Sequence, residues 1–461
     1  VGIVTRTDLL KTLADIEGRS KEQDYVQELQ SALSPTVLRL LRLVAHEAEE
    51  QGAALYIVGG FVRDLLLGAP SVDFDLVVEG NAIHLAKSLV DQYGGRISSH
   101  KRFGTAKWAL EKNDPNLLAE LNREFIPEGE IPAYLDFVSA RTEFYRHPTA
   151  LPSVERGSIK LDLHRRDFSI NTLALRLDGR YYGELLDHWG GGKDLQEGLI
   201  RVLHSLSFVD DPTRILRAVR LEQRLGFSLE PRTLELLREA LPLLDRVSGD
   251  RIRNELDAIF QEQHLFKIMR RLDELGLLSA INPALGWSET IENAWSQVES
   301  FTPPESWRLD RLPSQKFFYY GLWFFELEES DVRKVCERLH FPAIMRQNYL
   351  DSNRLGKELP SLCSQSKPSL IVEELESLRE PALLIVWLGV HDQAECQKAV
   401  ENYLSHWRFV SPQASGETLR EMGLSPGPMY SKILKELRDA WLDGKITSPE
   451  EENEILLKWV Q

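Results

Sequence analysis

Ile57-Val58-Gly59-Gly60-Phe61-Val62-Arg63-Asp64-Leu65-Leu66-Leu67-Gly68, followed by Ser71-Val72-Asp73-Phe74-Asp75-Leu76-Val77-Val78, decides the fold of this 461-residue chain. On a strand alternate residues share a face, so Asp73 and Asp75 point one way and Phe74 the other. Two carboxylates on one strand face suit a hard divalent cation such as Mg²⁺, which takes oxygen ligands. The glycine pair lets backbone N–H groups come close to a phosphate, and a helix beginning at Phe61 would aim its positive end there. A phosphate grip with paired aspartates is the minimum equipment for two-metal phosphoryl or nucleotidyl transfer. A turn followed by an exposed polar strand could carry the same letters. Asp-x-Asp alone is a weak signal, and the Gly-Gly-x-Val-Arg-Asp ahead of it makes it specific.

Val58 to Gly80 resembles the nucleotidyltransferase head of the class II tRNA CCA-adding enzymes and bacterial poly(A) polymerases, within the polymerase-β superfamily. The resemblance implies an α+β fold. A polymerase-β-like head with a small mixed sheet carries the aspartates, and all-helical neck, body and tail domains follow.

Composition fits an ordinary soluble protein, 43% hydrophobic and 27% charged. No apolar run approaches the roughly 20 residues of a membrane span, and no signal-peptide pattern is read at the opening. Cys336, Cys363 and Cys396 have neither metal-ligand spacing nor a disulfide framework, so no disulfides and a reducing cytoplasm are expected. The net charge of -16 argues at first against a nucleic-acid partner, but binding follows the local field. Between Pro212 and Arg253 stand nine arginines, no lysine and six acids, a locally basic stretch suited to planar recognition of phosphates and bases. A solvated helical surface would look the same by composition.

Val1-Gly2-Ile3-Val4-Thr5-Arg6-Thr7-Asp8-Leu9-Leu10 resembles the closing segment of a CBS domain. Residues 1–34 are therefore expected to be a CBS remnant and linker of a longer polypeptide. The nucleotidyltransferase head is expected over 35–166, a nucleotide-selecting neck over 167–250, a body over 251–370 and a tRNA-binding tail over 371–461. Helices are expected at 36–51 and 81–93, and strands at 54–58, 74–78, 106–110, 134–138 and 158–161. The polar stretch between Leu110 and Ile131 reads as a mobile loop. Helical periodicity takes over from about Asp167.

A third carboxylate would complete a two-metal cage. Asp136, in the alternating run Tyr134-Leu135-Asp136-Phe137-Val138, is the candidate, expected on a sheet neighbour of the Asp73 strand. A solvent-facing strand Asp is the plain alternative. Arg165-Arg166-Asp167-Phe168-Ser169-Ile170-Asn171 resembles the family's Arg-Arg-Asp motif. Guanidinium forks pair bidentately with phosphate oxygens, and Asp167 could orient Arg166 or cap the helix bearing Asn171. Asp187 to Leu195, with Gly190-Gly191-Gly192, resembles a glycine-rich connection and reads as a hinge rather than a phosphate loop. In Asp210-Asp211-Pro212-Thr213-Arg214-Ile215-Leu216-Arg217-Ala218-Val219-Arg220, Asp211 and Pro212 read structurally as cap and first helical residue. Asp211 and Arg214, one turn apart, could also present an acceptor and a donor to the Watson–Crick edge of a base. Val247 to Ile252 resembles a motif supporting that helix. Gly416 to Pro428 resembles the family's C-terminal glycine turn, or is a plain helix connection.

Carried onto this chain, the resemblance makes Asp73 and Asp75 the ligands of two Mg²⁺ ions, with Asp136 assisting catalysis. Gly59, Gly60, Arg63, Arg165, Arg166 and Asn171 would bind the nucleotide. Asp211 and Arg214 would choose the base, with Arg217 and Arg220 reaching the triphosphate. The implied activity is template-independent addition of AMP, with CMP left open, to the tRNA 3′-end with release of pyrophosphate. Poly(A) polymerases typically carry an aliphatic pair and Gly before two basic residues and Phe. Here Ile97-Ser98-Ser99-His100-Lys101-Arg102-Phe103 lacks that element, which favours tRNA. A CC-adding enzyme and a catalytically silent RNA-binding or sensor module are the other readings. The span from Arg141 to Arg165, with Glu143, Arg146 and Glu155, corresponds to a loop that is shorter in CC-adding members. Oligomeric state is not legible.

Overall fold

Ser34 opens the head by accepting the Val37 N–H on its hydroxyl at 3.2 Å, and Pro35 sits at the first position of helix Pro35–Glu50. That helix buries Val37, Leu40, Leu41, Val44 and Ala48 on one stripe. This computed structural model describes residues 25–69, 74–144 and 153–460. Asp73, Arg146 and the CBS-like opening at Val1–Leu10 lie outside the described residues. The chain divides into two compact units between Leu243 and Leu244.

In the first unit the strands are β1 (Ala54–Val58), β2 (Asp75–Glu79), β3 (Arg96–His100), β4 (Thr105–Ala109), β5 (Tyr134–Ser139), β6 (Arg141–Phe144), β7 (Ser153–Arg156), β8 (Ala174–Arg176) and β9 (Leu185–Leu186). Seven form one mixed sheet in the order β3-β4-β5-β2-β1-β8-β9, while β6 and β7 make a separate hairpin. β2 and β5 run parallel, with Leu76 opposite Phe137; the other pairs in the sheet are antiparallel. Leu55, Ile57, Leu76, Val78, Phe137 and Trp108 alternate onto one face, all almost fully buried. Helices Pro35–Glu50 and Ala82–Tyr93 pack on the sheet. The opposite face carries Asp75, Val77, Val138, Thr105, Lys107 and Asp136.

Four local expectations change. Ser158–Leu161 is not a strand: Ile159–His164 is a helix. Its alternating apolar letters mimic a strand, but Ile159 and Leu163 bury together four residues apart, and Asp162 pairs with Arg165 and Arg166 at helical spacing. The stretch from Leu110 to Ile131 is packed rather than mobile. Asp114 caps helix Pro115–Glu120, Leu117, Leu121, Ile126 and Ile131 are buried, and Arg39 donates to the Leu121 carbonyl at 2.9 Å. β8 and β9 extend the sheet beyond Asp167, in runs too short to show a period. Gly190-Gly191-Gly192 is a pinned helix start. Asp187 accepts the Gly191 and Gly192 N–H groups at 2.8 and 2.9 Å, and a Cβ on Gly191 would lie 2.4 Å from the Ser169 carbonyl oxygen. Gly191 serves close packing and Gly190, at φ 72°, supplies the left-handed turn into the helix.

The second unit is helical throughout its described residues. Its early core is aromatic: Trp295 meets Trp287, Tyr319 and Phe260 with ring centroids 4.8, 4.7 and 5.2 Å apart. Trp295, Trp307 and Trp323 are fully buried, which assigns these tryptophans to packing. Near its end, Ser415 and Thr418 form a capping box on helix Gly416–Glu421. Leu419 joins Ile433, Leu437 and Leu456 in a small separate core.

Candidate active site

The open face of the sheet borders a cleft of about 530 Å³, lying wholly in the first unit. β1 delivers the chain to Gly59, whose φ of 74° and ψ of -128° suit only a residue without a Cβ. Helix Gly60–Leu66 then starts one residue earlier than the sequence suggests. A Cβ on Gly59 would come 2.8 Å from Arg166 Nη1, so the glycine makes room for that guanidinium.

Arg63 is buried and braced. Its Nε and Nη2 donate to Asp64 at 2.7 and 2.9 Å, and its Nη1 to Asn171 Oδ1 at 2.9 Å. Asn171 in turn donates to Asp167 Oδ1 at 2.9 Å, and Arg217 Nη2 lies 2.6 Å from Asp167 Oδ2. Burial works to raise the Asp167 carboxyl. Arg217, the Asn171 amide, Arg214 and the Phe168 N–H outweigh it and hold the group below its ordinary value. Asp167 thus orients Arg217 rather than Arg166.

Arg165 and Arg166 are held instead by Asp162, which is fully buried. Asp162 stands one residue past the strand expected at 158–161, and its role shows only once Ile159–His164 is a helix. An Asp three and four residues before two arginines is a clamp only on a helix.

Asp211 keeps a cap's geometry, extended at φ -141° and ψ 96° with its side chain bonded two residues on, but the regular helix starts only after Pro212 and Thr213. Its Oδ1 accepts the Thr213 N–H and hydroxyl at 3.1 and 2.7 Å in a turn, and the helix runs Arg214–Leu225. Arg214 is buried and donates to Ser207 Oγ and the Arg165 carbonyl, each at 2.7 Å. Its guanidinium therefore builds the wall of the cleft.

Gly59, Gly60, Arg63, Asp75, Arg165, Arg166, Asn171, Asp211, Arg214, Arg217 and Arg220 all line this one cleft. Arg141 and Arg224, which the motifs did not assign to nucleotide binding, line it as well. Eight arginines (63, 141, 165, 166, 214, 217, 220, 224) face three aspartates (75, 167, 211), a field suited to a polyanion.

Asp75 opens β2 and is exposed to the cleft. The β2–β5 register, continued one residue back from Leu76 and Phe137, sets Asp75 level with Asp136 on the neighbouring strand. Lys107 Nζ lies 3.3 Å from Asp136 Oδ2 and 3.6 Å from the Tyr134 ring centre. Among the described residues no three His, Cys, Asp or Glu side chains group as a metal site. Asp75, exposed on the open sheet face, is a hard oxygen donor of the kind Mg²⁺ requires, whereas Asp136 pairs with Lys107 and is not among the residues that line the cleft.

The chain resembles known proteins along almost its whole length. Residues 55–201 match the poly A polymerase head domain, and 226–287 the probable RNA and SrmB- binding site of polymerase A. An A-adding tRNA nucleotidyltransferase of Geobacter sulfurreducens is 33% identical, over 99% of this chain and 52% of its own length. The chain thus spans about half of that relative. The A-adding tRNA nucleotidyltransferase of Halalkalibacterium halodurans is 31% identical over 86% of each. A CCA-adding enzyme in an apo form superposes with a TM-score of 0.76 at 30% identity, over 95% of this chain and all of that one. The Thermotoga maritima CCA-adding enzyme complexed with tRNA gives 0.70 at 28%, over 96% and 100%.

A mixed-sheet head with an arginine-lined cleft, in a chain whose second unit is helical, is the architecture of the nucleotidyltransferase class. Within that class, the chain belongs to the tRNA nucleotidyltransferase family.

Proposed function

We propose that this chain transfers AMP from ATP to the 3′-end of tRNA, completing the CCA terminus in the cytoplasm. The observation that carries the reading is the single cleft uniting the glycine turn, Asp75, the Arg-Arg-Asp segment and the arginine helix. The A-adding relatives support ATP as the donor.

In this reading Arg165, Arg166, Arg217 and Arg220 bind the triphosphate, which brings about four negative charges. The glycine turn admits its phosphates close to the backbone. Asp211 and the wall built on Arg214 confine the base. The terminal 3′-oxygen of the RNA attacks the α-phosphorus, the bond to the β-phosphate oxygen breaks, and pyrophosphate leaves. Asp136, on the strand next to β2, would assist by accepting the hydroxyl proton, a role that its position on the same sheet face as Asp75 supports. Asp73 and Asp75 would hold Mg²⁺, which supplies charge neutralisation at the transferred phosphoryl group.

Labelled ATP and CTP offered with tRNA ending at the discriminator base, at C and at CC test the proposal. AMP incorporation into the CC-ending tRNA is expected. CMP addition to the first substrate with no AMP addition to the third would make it a CC-adding enzyme. Extended AMP tracts on unrelated RNA would make it a poly(A) polymerase.

A further inference from the structure

We infer that Asp162 is a positioning residue for the triphosphate: one buried carboxylate that pairs with both arginines of the Arg-Arg-Asp segment and orders them. The inference rests on the nucleotidyl-transfer reading above. Asp162 is 0% exposed, on the helix Ile159–His164. Its Oδ1 accepts Arg165 Nη2 at 2.7 Å, Arg165 Nε at 3.1 Å and the Arg141 backbone N–H at 3.3 Å. Its Oδ2 pairs with Arg166 Nη2 at 3.3 Å.

Two neighbouring guanidiniums repel one another, and each long side chain has many rotamers to lose. A single buried anion between them removes both difficulties before a nucleotide arrives, leaving the pair with a net positive charge facing the cleft. The clamp also reaches further than the two side chains. Arg166 Nη1 occupies the space that a Cβ on Gly59 would enter. The Arg165 carbonyl receives Arg214 Nη2 at 2.7 Å. The carboxylate thus touches the start of β6 at Arg141 directly, and is linked to the glycine turn through Arg166 and to the arginine helix through Arg165. Its chemistry is that of preorganisation: affinity is gained because the ordering is already complete when phosphate binds.

The test is Asp162→Asn, which keeps the volume and removes the charge, assayed in the full chain with tRNA ending in CC. The KM for ATP is expected to rise at least tenfold with kcat changed less than threefold, and the Ki of inorganic tripolyphosphate should rise by the same factor. Competition by AMP, which lacks the β- and γ-phosphates, should change less than threefold. A merely structural role would lower kcat or the melting temperature and leave the tripolyphosphate Ki alone, and that result overturns the inference. If Asp162→Asn does not fold, Asp162→Glu keeps the charge and displaces it by one methylene. A severalfold rise in the ATP KM is then expected, and values within twofold of wild type for ATP and tripolyphosphate overturn the inference. A wild-type chain that incorporates no AMP would fail the nucleotidyl-transfer reading itself, whereas an active wild type with an unaffected variant fails only the assignment of Asp162.

Discussion

Gly59→Ala separates the two demands placed on the glycine turn. At φ 74° and ψ -128° an L-residue sits in a region populated almost only by glycine, at a cost of about 1–3 kcal/mol. For a unit of this size that corresponds to a fall in melting temperature of roughly 2 to 12 °C. The added Cβ would also lie 2.8 Å from Arg166 Nη1, so this side chain must shift and its pairing with Asp162 through Nη2 is disturbed, while the backbone stays in place. Losing one charge-assisted hydrogen bond to the triphosphate costs about 1.5–3 kcal/mol, or roughly a 10- to 150-fold rise in the KM for ATP. Thermal melting and steady-state AMP incorporation measure the two effects independently. An ATP KM within threefold of wild type, in a protein melting less than 2 °C lower, would refute both the strain argument and the packing of Arg166 against the turn.

Asp75→Ala should abolish nucleotide addition with the fold nearly intact, since the side chain is exposed at the start of β2. Losing ~4 kcal/mol of transition-state stabilisation is about a thousandfold in rate, and retention of a tenth of wild-type activity would remove Asp75 from the chemistry. Arg214→Ala should relax the choice among ATP, CTP, GTP and UTP by at least tenfold, because it removes the support of the cleft wall at Ser207 and Arg165. Equal weakening towards all four nucleotides would mark Arg214 as a triphosphate ligand instead. Asp167 gives a pH signature. Its carboxyl is held below the ordinary value of 3.8, so the stability it contributes is fully present above that value and is lost as pH falls through the lower, folded one. The stability difference between wild type and Asp167→Asn, read from denaturant midpoints, should stay constant from pH 7 to about pH 5 and shrink only below about pH 4. A difference already shrinking between pH 7 and pH 5 would contradict the depressed carboxyl.

Local chemistry was legible wherever one element carried it. The apolar, valine-rich run Leu76-Val77-Val78 marks β2, and Ser34-Pro35 marks the start of a helix, because each depends on a few consecutive residues. The Ile159–His164 helix was not legible, since its letters alternate as a strand's do and its helical state is decided by what Ile159, Asp162 and Leu163 pack against. Likewise the stretch from Leu110 to Ile131 has too few apolar residues to show a period. Its order comes from Leu117 and Leu121 being buried, and from Arg39 reaching the Leu121 carbonyl from 82 residues away in sequence.

By itself, the sequence determined which residues can carry the chemistry: a glycine pair that tolerates positive φ, acidic residues at strand spacing, and arginines enough to bind a polyanion. It also determined that strands come first and helices dominate later. Tertiary structure alone decided which arginine serves which carboxylate. Asp167 serves Arg217, 50 residues away, while its immediate neighbour Arg166 belongs to Asp162. The physical reason is that a motif records spacing along the chain, whereas an ion pair forms between side chains that meet in space. In a buried cleft each charge must find a partner at hydrogen-bond distance, and only the packed fold says which one is there.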